Sequence, residues 1–170
     1  RFRPERLTNV ETGAEWRRGA VSLRANAFAM EFRDEIALTG ITTALGWDVR
    51  RNVGRSHRRG VELEGRWQPT EALTLAANLT ASRNRIALVR DEATGQTWRD
   101  VPQVLTPALV AGQQVTWRVA RRVTLTADGR YQSRQFLDPT GDVARSAPGF
   151  FVVDGGVLVR LAGSEVLVQG

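Results

Sequence analysis

The chain has 170 residues, 42% hydrophobic and 25% charged, enough for one sizeable domain and without any apolar run approaching a membrane helix. Cysteine is absent and His57 is the single histidine, which excludes disulfides, thiolate metal sites and multi-histidine zinc clusters. The net charge is +6, carried by arginine without lysine, and fits a nucleic-acid partner, an anionic membrane surface, anionic ligands or a merely solvated basic surface.

Membrane barrels carry no long apolar run either, so the lack of one does not separate a soluble protein from a barrel. The sequence starts at Arg1 with nothing resembling a signal peptide, and is expected to be a mature piece or an internal fragment.

Period-two alternation recurs from end to end, and helical periodicity never persists. Strands are predicted at residues 10–17 and 21–29, joined by a short turn around Arg18-Gly19, and a long connection covers 34–52. The next strand descends from Asn52 to Pro69 and contains GVELEGRW, in which Val61, Leu63, Gly65 and Trp67 alternate with Glu62, Glu64 and Arg66. Such a strand has one apolar and one ionic face, and the question is which of them meets water. After a turn over 69–72, Leu73, Leu75, Ala77 and Leu79 alternate with Thr74, Ala76, Asn78 and Thr80, and a second long connection covers 83–104. Further strands are predicted at 109–119, from Val123 to Tyr131, from Phe151 to Leu161, and at 166–169. A third long connection covers 133–149, and short turns fall at 120–122 and 162–164. The total is about eight strands, the last incomplete.

Short and long connections alternate. In an up-and-down meander this puts tight turns at one end of the sheet and long loops at the other, the asymmetry of outer-membrane barrels. Opposed residues must share a face. The turns predict Trp117 opposite Leu125, Arg118 opposite Thr124, Trp16 opposite Val21, Ala14 opposite Leu23, Leu161 opposite Val166 and Val159 opposite Val168. Like meets like in each pair. Trp16, Trp67 and Trp117 each fall on the apolar face shortly before a short turn, at the level of a membrane aromatic girdle or of a tryptophan layer in a soluble core. Phe28, Phe32, Tyr131, Phe136 and Phe150 gather towards the long connections, as a second girdle would require.

The stretches PERLTNVETGAEWR, AFAMEFRDEIALTG and NVGRSHRRGVELEGRWQPTEALTLAANLTASRNRI resemble the C-terminal barrel of TonB-dependent outer-membrane receptors. VPQVLTPAL, DGRYQSRQFLDPTGD and PGFFVVDGGVLVRL continue the resemblance in the family's order, over essentially all 170 residues. Its most specific part is the strand from Asn52 to Pro69. The resemblance implies an all-β antiparallel meander that is a segment of a transmembrane barrel of about 22 strands. On it, residues 1–170 are a partial barrel domain lacking the plug domain and the last strand. It also implies import of a scarce nutrient, most of all a ferric siderophore, with energy passed from the TonB complex through the plug. Localisation in the bacterial outer membrane, with lipid and lipopolysaccharide as neighbours, comes with it. No cofactor, no resident metal and no nucleic-acid partner are expected.

Within a barrel, an arginine facing lipid at the midplane would cost about 2–4 kcal/mol. Glu62, Glu64, Arg66, Asn78, Thr80, Thr126, Asp128 and Arg130 are therefore expected to face the lumen. Trp16, Trp67 and Trp117 would form the periplasmic girdle. Arg50, Arg51, Arg55, Arg58 and Arg59, with His57, form the densest basic cluster and are expected at the extracellular rim. That cluster either attracts anionic chelates or lipopolysaccharide phosphates, or is a solvated or internally paired rim. Neighbouring Glu62 and Glu64 read as lumenal groups rather than as a catalytic pair. LDPTGD reads as a turn using Pro139 and Gly141, its spacing being too short for a calcium loop. No phosphate-binding glycine loop or nucleophile elbow occurs, so no enzyme is expected. A small closed membrane barrel acting as anchor or adhesin, and a soluble β-sandwich or barrel binding module, remain alternatives.

Overall fold

The computed structural model describes residues 3–42, 48–90 and 95–170; the tips of two predicted long connections, 43–47 and 91–94, lie outside the described residues. Alternation and β-branched content produce long strands: β1 (Arg6–Arg18), β2 (Val21–Thr42), β3 (Asp48–Thr70) and β4 (Leu73–Arg90). They are followed by β5 (Thr97–Pro102), β6 (Leu109–Ala120), β7 (Val123–Gln132), β8 (Gln135–Phe136), β9 (Ser146–Ala147), β10 (Phe150–Leu161) and β11 (Ser164–Gln169). One sheet takes the order β1-β2-β3-β4-β6-β7-β10-β11, an antiparallel meander of eight strands. The last third of β4, from Arg85, pairs with β5, and β8 pairs with β9 apart from the sheet.

The long connections are more ordered than the sequence suggested. Residues 34–52 largely continue the β2–β3 hairpin, which stays paired as far as Thr42 opposite Asp48. With 22 and 23 residues, these strands are about twice the length that crosses a membrane, so the hairpin projects beyond the rest of the sheet. In the second long connection, the end of β4 (residues 85–90) similarly pairs with β5.

The hairpin around 120–122 has the predicted register, with Trp117 opposite Leu125 and Arg118 opposite Thr124. In the other two the partners differ by two residues. Trp16 faces Leu23 and Ala14 faces Ala25; Leu161 faces Ser164 and Val159 faces Val166. The cause is tight turning: only two residues link each pair of strands, with Gly19 at φ +57° and Gly163 at φ +82° taking the left-handed conformation. An even offset leaves every side chain on its predicted face.

The buried cluster sits in the projecting part. Ala37, Val53, Ile86, Val89 and Val101 pack together there, with Trp98 against them. Where β1–β4, β6, β7, β10 and β11 form the main sheet, Leu73, Leu75, Val123 and Leu125 are only half-buried and form no dry interior.

Candidate functional site

The sheet curls around its polar face. Seven strands bound a groove of about 910 Å3, and its charged lining includes Arg17, Arg24, Glu64, Arg66, Asp128 and Arg130. Strand pairing aligns the groove's side chains in rows. One row runs Arg17, Ser22, Arg66, Ala76, Gln114, Asp128 and Asp154 across seven strands. The next runs Glu15, Arg24, Glu64, Asn78, Gly112, Arg130 and Val152.

Within this face Arg24 bridges Glu64 at 3.3 Å and Glu15 at 3.8 Å. The Asn26 amide donates to Glu62 at 3.2 Å, and Gln114 donates to Asp128 at 2.9 Å. Asp128 stands directly opposite Asp154, a like-charge pair that cross-strand energetics disfavour. The six residues predicted to line an interior, Glu62, Glu64, Arg66, Asn78, Asp128 and Arg130, thus share one concave face with Thr80 and Thr126.

The opposite, convex face is apolar. Trp16, Trp67 and Trp117 lie on it near the short turns, each about half exposed. Val61, Leu63, Phe151, Val153 and Val157 extend the same surface with nothing packed over them. Tyr131, opposite Phe151, belongs to this face. Phe28, Phe32 and Phe150 do not, which corrects the predicted second girdle: they pair with Gly60, Ser56 and Gln132 on the concave face. Phe28 covers Gly60 closely, and a Cβ there would meet the Phe28 ring and the Ala81 carbonyl at 2.6 Å. Phe136 is in β8, off the main sheet.

The basic cluster is divided by strand alternation. Arg58 turns to the concave side, where its guanidinium lies 4.6 Å from the Phe32 ring centroid. It also pairs with Glu35 and donates to Gln103 at 3.0 Å. Glu35 is buried and additionally accepts from Ser56 and, at 3.3 Å, from Gln103. Arg55, His57 and Arg59 turn to the convex side, where Arg59 pairs with Glu31 at 2.6 Å. Arg50 and Arg51 lie opposite Leu38 and Ala37 in the projecting hairpin.

LDPTGD forms the expected turn. Gly141 is left-handed, at φ +71°. Asp138 accepts from the Thr140 amide at 2.9 Å and hydroxyl at 2.5 Å, and from Arg145 at 2.9 Å. Burial pushes its carboxyl up, but these hydrogen bonds hold it below the ordinary aspartate value.

The model of a TonB dependent receptor-like β-barrel matches residues 1–162. The chain belongs to that family. As a TonB-dependent receptor barrel segment it is a protein of the bacterial outer membrane, and its meander is a stretch of the family's 22-stranded wall. No curated protein matches it in sequence. Among solved structures, it is similar to the ferric-catecholate import receptor Fiu of E. coli K12, with 18% identity, TM-score 0.72, and coverage of 99% of this chain and 23% of that one. It is also similar to the siderophore receptor PiuA of Acinetobacter baumannii, with 19% identity, TM-score 0.72, and coverage of 96% and 23%. A third similar structure is the copper transporter OprC, with 17% identity, TM-score 0.71, and coverage of 95% and 24%. The chain thus spans about a quarter of the length of these structures.

Sequence reasoning missed the Glu35 node of the receptor barrel. The sequence showed only an acidic pair, Asp34-Glu35, before the apolar stretch IAL; the left-handed Asp34, at φ +57°, that interrupts the alternation there is visible only in the structure. Gln103 and Ser56 carried no signal by themselves.

Proposed function

We propose that this chain forms part of the wall of an active transporter that imports a scarce nutrient, a ferric siderophore, with energy transmitted from TonB through a plug domain. The observation that carries the reading is the division of the sheet into a concave ionic and a convex apolar face, in a chain of this family. Apolar side chains outward and charges inward is the arrangement that lipid outside and water inside require. Glu62, Glu64, Arg66, Asn78, Asp128 and Arg130 then line the wet interior and meet the plug. Asp128 and Asp154, facing each other, give that surface a place for a plug cation. Trp16, Trp67 and Trp117 form the girdle at the periplasmic boundary. Of the predicted extracellular rim, Arg58 and Arg59 are occupied by Glu35 and Glu31, and Arg50 is a candidate for attracting anions. Two of the similar structures are named for iron-chelate import, which supports the siderophore over other cargo.

The test is uptake by cells carrying or lacking the whole gene under iron restriction. Radiolabelled ferric siderophore should enter only with the gene and only with functional TonB. Equal uptake without the gene across catecholate, hydroxamate and mixed siderophores, with copper uptake reduced instead, would reject the siderophore assignment.

A further inference from the structure

Strands β2 and β3 change faces together partway along their length. Just below the Arg33–Arg55 pair the buried residues are even-numbered, Phe32 and Ser56. From the Glu35–Val53 pair onward they are odd-numbered: Glu35, Ala37 and Val53. A continuous ladder keeps each parity on one face, so the hairpin turns about its own axis between these two levels. The residues between them are Asp34, left-handed at φ +57°, and Gly54, and the ladder skips both. A Cβ on Gly54 would find open space, with nothing within 4 Å.

Main-chain pairing with the neighbouring strands stops near the same level. The β1–β2 ladder reaches Arg6–Arg33, and the β3–β4 ladder reaches Ser56–Ile86. Ladder pairing of β4 with β6 ends at Ala81–Leu109. Beyond these points side chains take over. Towards β4 and β5, Ala37 and Val53 pack with Ile86, Val89 and Val101, and Glu35 holds Arg58 and Gln103.

Towards β1 the contacts are polar, and the Asn52 side chain acts there as a piece of main chain. Its Oδ1 accepts from the Arg3 N–H at 2.7 Å, and its Nδ2 donates to the Arg3 carbonyl at 2.9 Å. Nδ2 also donates to the Asp34 carbonyl, at 2.6 Å, at the turning point itself. Glu5 accepts from the Ile36 N–H at 3.2 Å, and Arg3 pairs with Asp34 at 2.7 Å. An apolar cluster excludes water and resists opening, whereas exposed hydrogen bonds exchange with water at little cost.

We propose that the projecting β2–β3 and β4–β5 hairpins form one body that pivots on the wall at Asp34 and Gly54, with Asn52 as the latch that fixes its angle. Hinges of this kind concentrate the backbone change in a few residues. The base of the body is on the concave face, where Glu35 meets Ser56 and Arg58, so its angle sets the opening of the groove at this end. Asn52 is a positioning residue. None of these contacts depends on which face meets lipid or on the cargo.

The experiment measures distances between paired spin labels by pulsed electron spin resonance in the full-length receptor. This stretch of it has no cysteine, so labels go on cysteines introduced at exposed positions: T12C on β1, Q68C low on β3, R50C in the first hairpin and R99C in the second. With Asn52 intact, every pair should give one narrow distance. Asn52→Ala should lose the narrow 12–50 and 12–99 distances while 50–99 and 12–68 stay narrow. Should that variant fail to fold, Arg3→Ala/Glu5→Ala unfastens the same junction from β1 and is read by the same distances. Narrow 12–50 and 12–99 distances after unlatching overturn the proposal, as does a 12–50 distance already broad with Asn52 intact. Broadening of 50–99 would show that the hairpins move separately and overturn the single body. Broadening of 12–68 would place the change in the wall and overturn the pivot.

Discussion

Glu35 shows how much one side chain can hold at the projecting end of the wall. It is buried, yet it accepts hydrogen bonds from Ser56 and Gln103 and pairs with Arg58, linking β2 to β3 and to the segment after β5. A buried carboxylate is tolerated only when its lone pairs are met by donors, and here they are. Glu35→Ala would strand the Ser56 hydroxyl and, among the described residues, leave Arg58 with Gln103 and the Phe32 ring. The expected loss is about 2 kcal/mol of stability, measured by denaturant unfolding of the receptor in detergent. Because Glu35 and Arg58 touch, their alanine variants should be non-additive by at least about 0.5 kcal/mol in a double-mutant cycle. Strict additivity would show that the pair contributes no coupling.

At the scale of elements, the connection between β7 and β10 is a folded unit with its own pH dependence. Asp138 is buried there, and burial alone would raise its carboxyl; the Thr140 and Arg145 hydrogen bonds outweigh this and lower it from 3.8. A carboxyl lowered on folding stabilises the native loop fully above its ordinary value, and the contribution is lost as pH falls below that value through the folded one. Amide exchange at Thr140, corrected for its intrinsic pH dependence, should show constant protection above pH 3.8 and declining protection below it. Asp138→Asn should remove the step; a step that persists in this variant would assign it to another group. That the segment turns at Pro139 and Gly141 was legible in the sequence, because turn residues act locally. The strands of the main sheet were legible for the same reason, since alternation needs only neighbours. What was not legible depends on distant partners: the extension of β2 and β3, the folding back of β5, and the Glu35 node are fixed by residues tens of positions apart. The two register offsets arose from turn length, which alternation constrains only to even steps. Phe28, Phe32 and Phe150 were grouped by their nearness to the loops, although their parity already put them with the polar residues.

At the scale of the whole molecule, the claim that matters is which side of the sheet meets lipid. Val61 and Glu62 are adjacent on β3 but belong to opposite faces. Val61 stands with Ala27 and Ala81 on the convex side, and Glu62 with Asn26 and Thr80 on the concave side. Val61 is six residues from Trp67, about 20 Å of strand and roughly 14 Å of height, near the middle of an apolar band about 25 Å tall. Val61→Arg should therefore cost about 2–4 kcal/mol of folding into a bilayer. Glu62→Arg, one residue away, places a cation against water and next to Asn26, and should cost less than about 1 kcal/mol. Denaturant unfolding of the full receptor in lipid vesicles measures both, with each variant's folded fraction checked by its heat-modifiable migration. A soluble protein with the convex side facing water would show no penalty at Val61. Larger destabilisation by Glu62→Arg than by Val61→Arg would reverse the two faces and put Trp16, Trp67 and Trp117 inside the barrel.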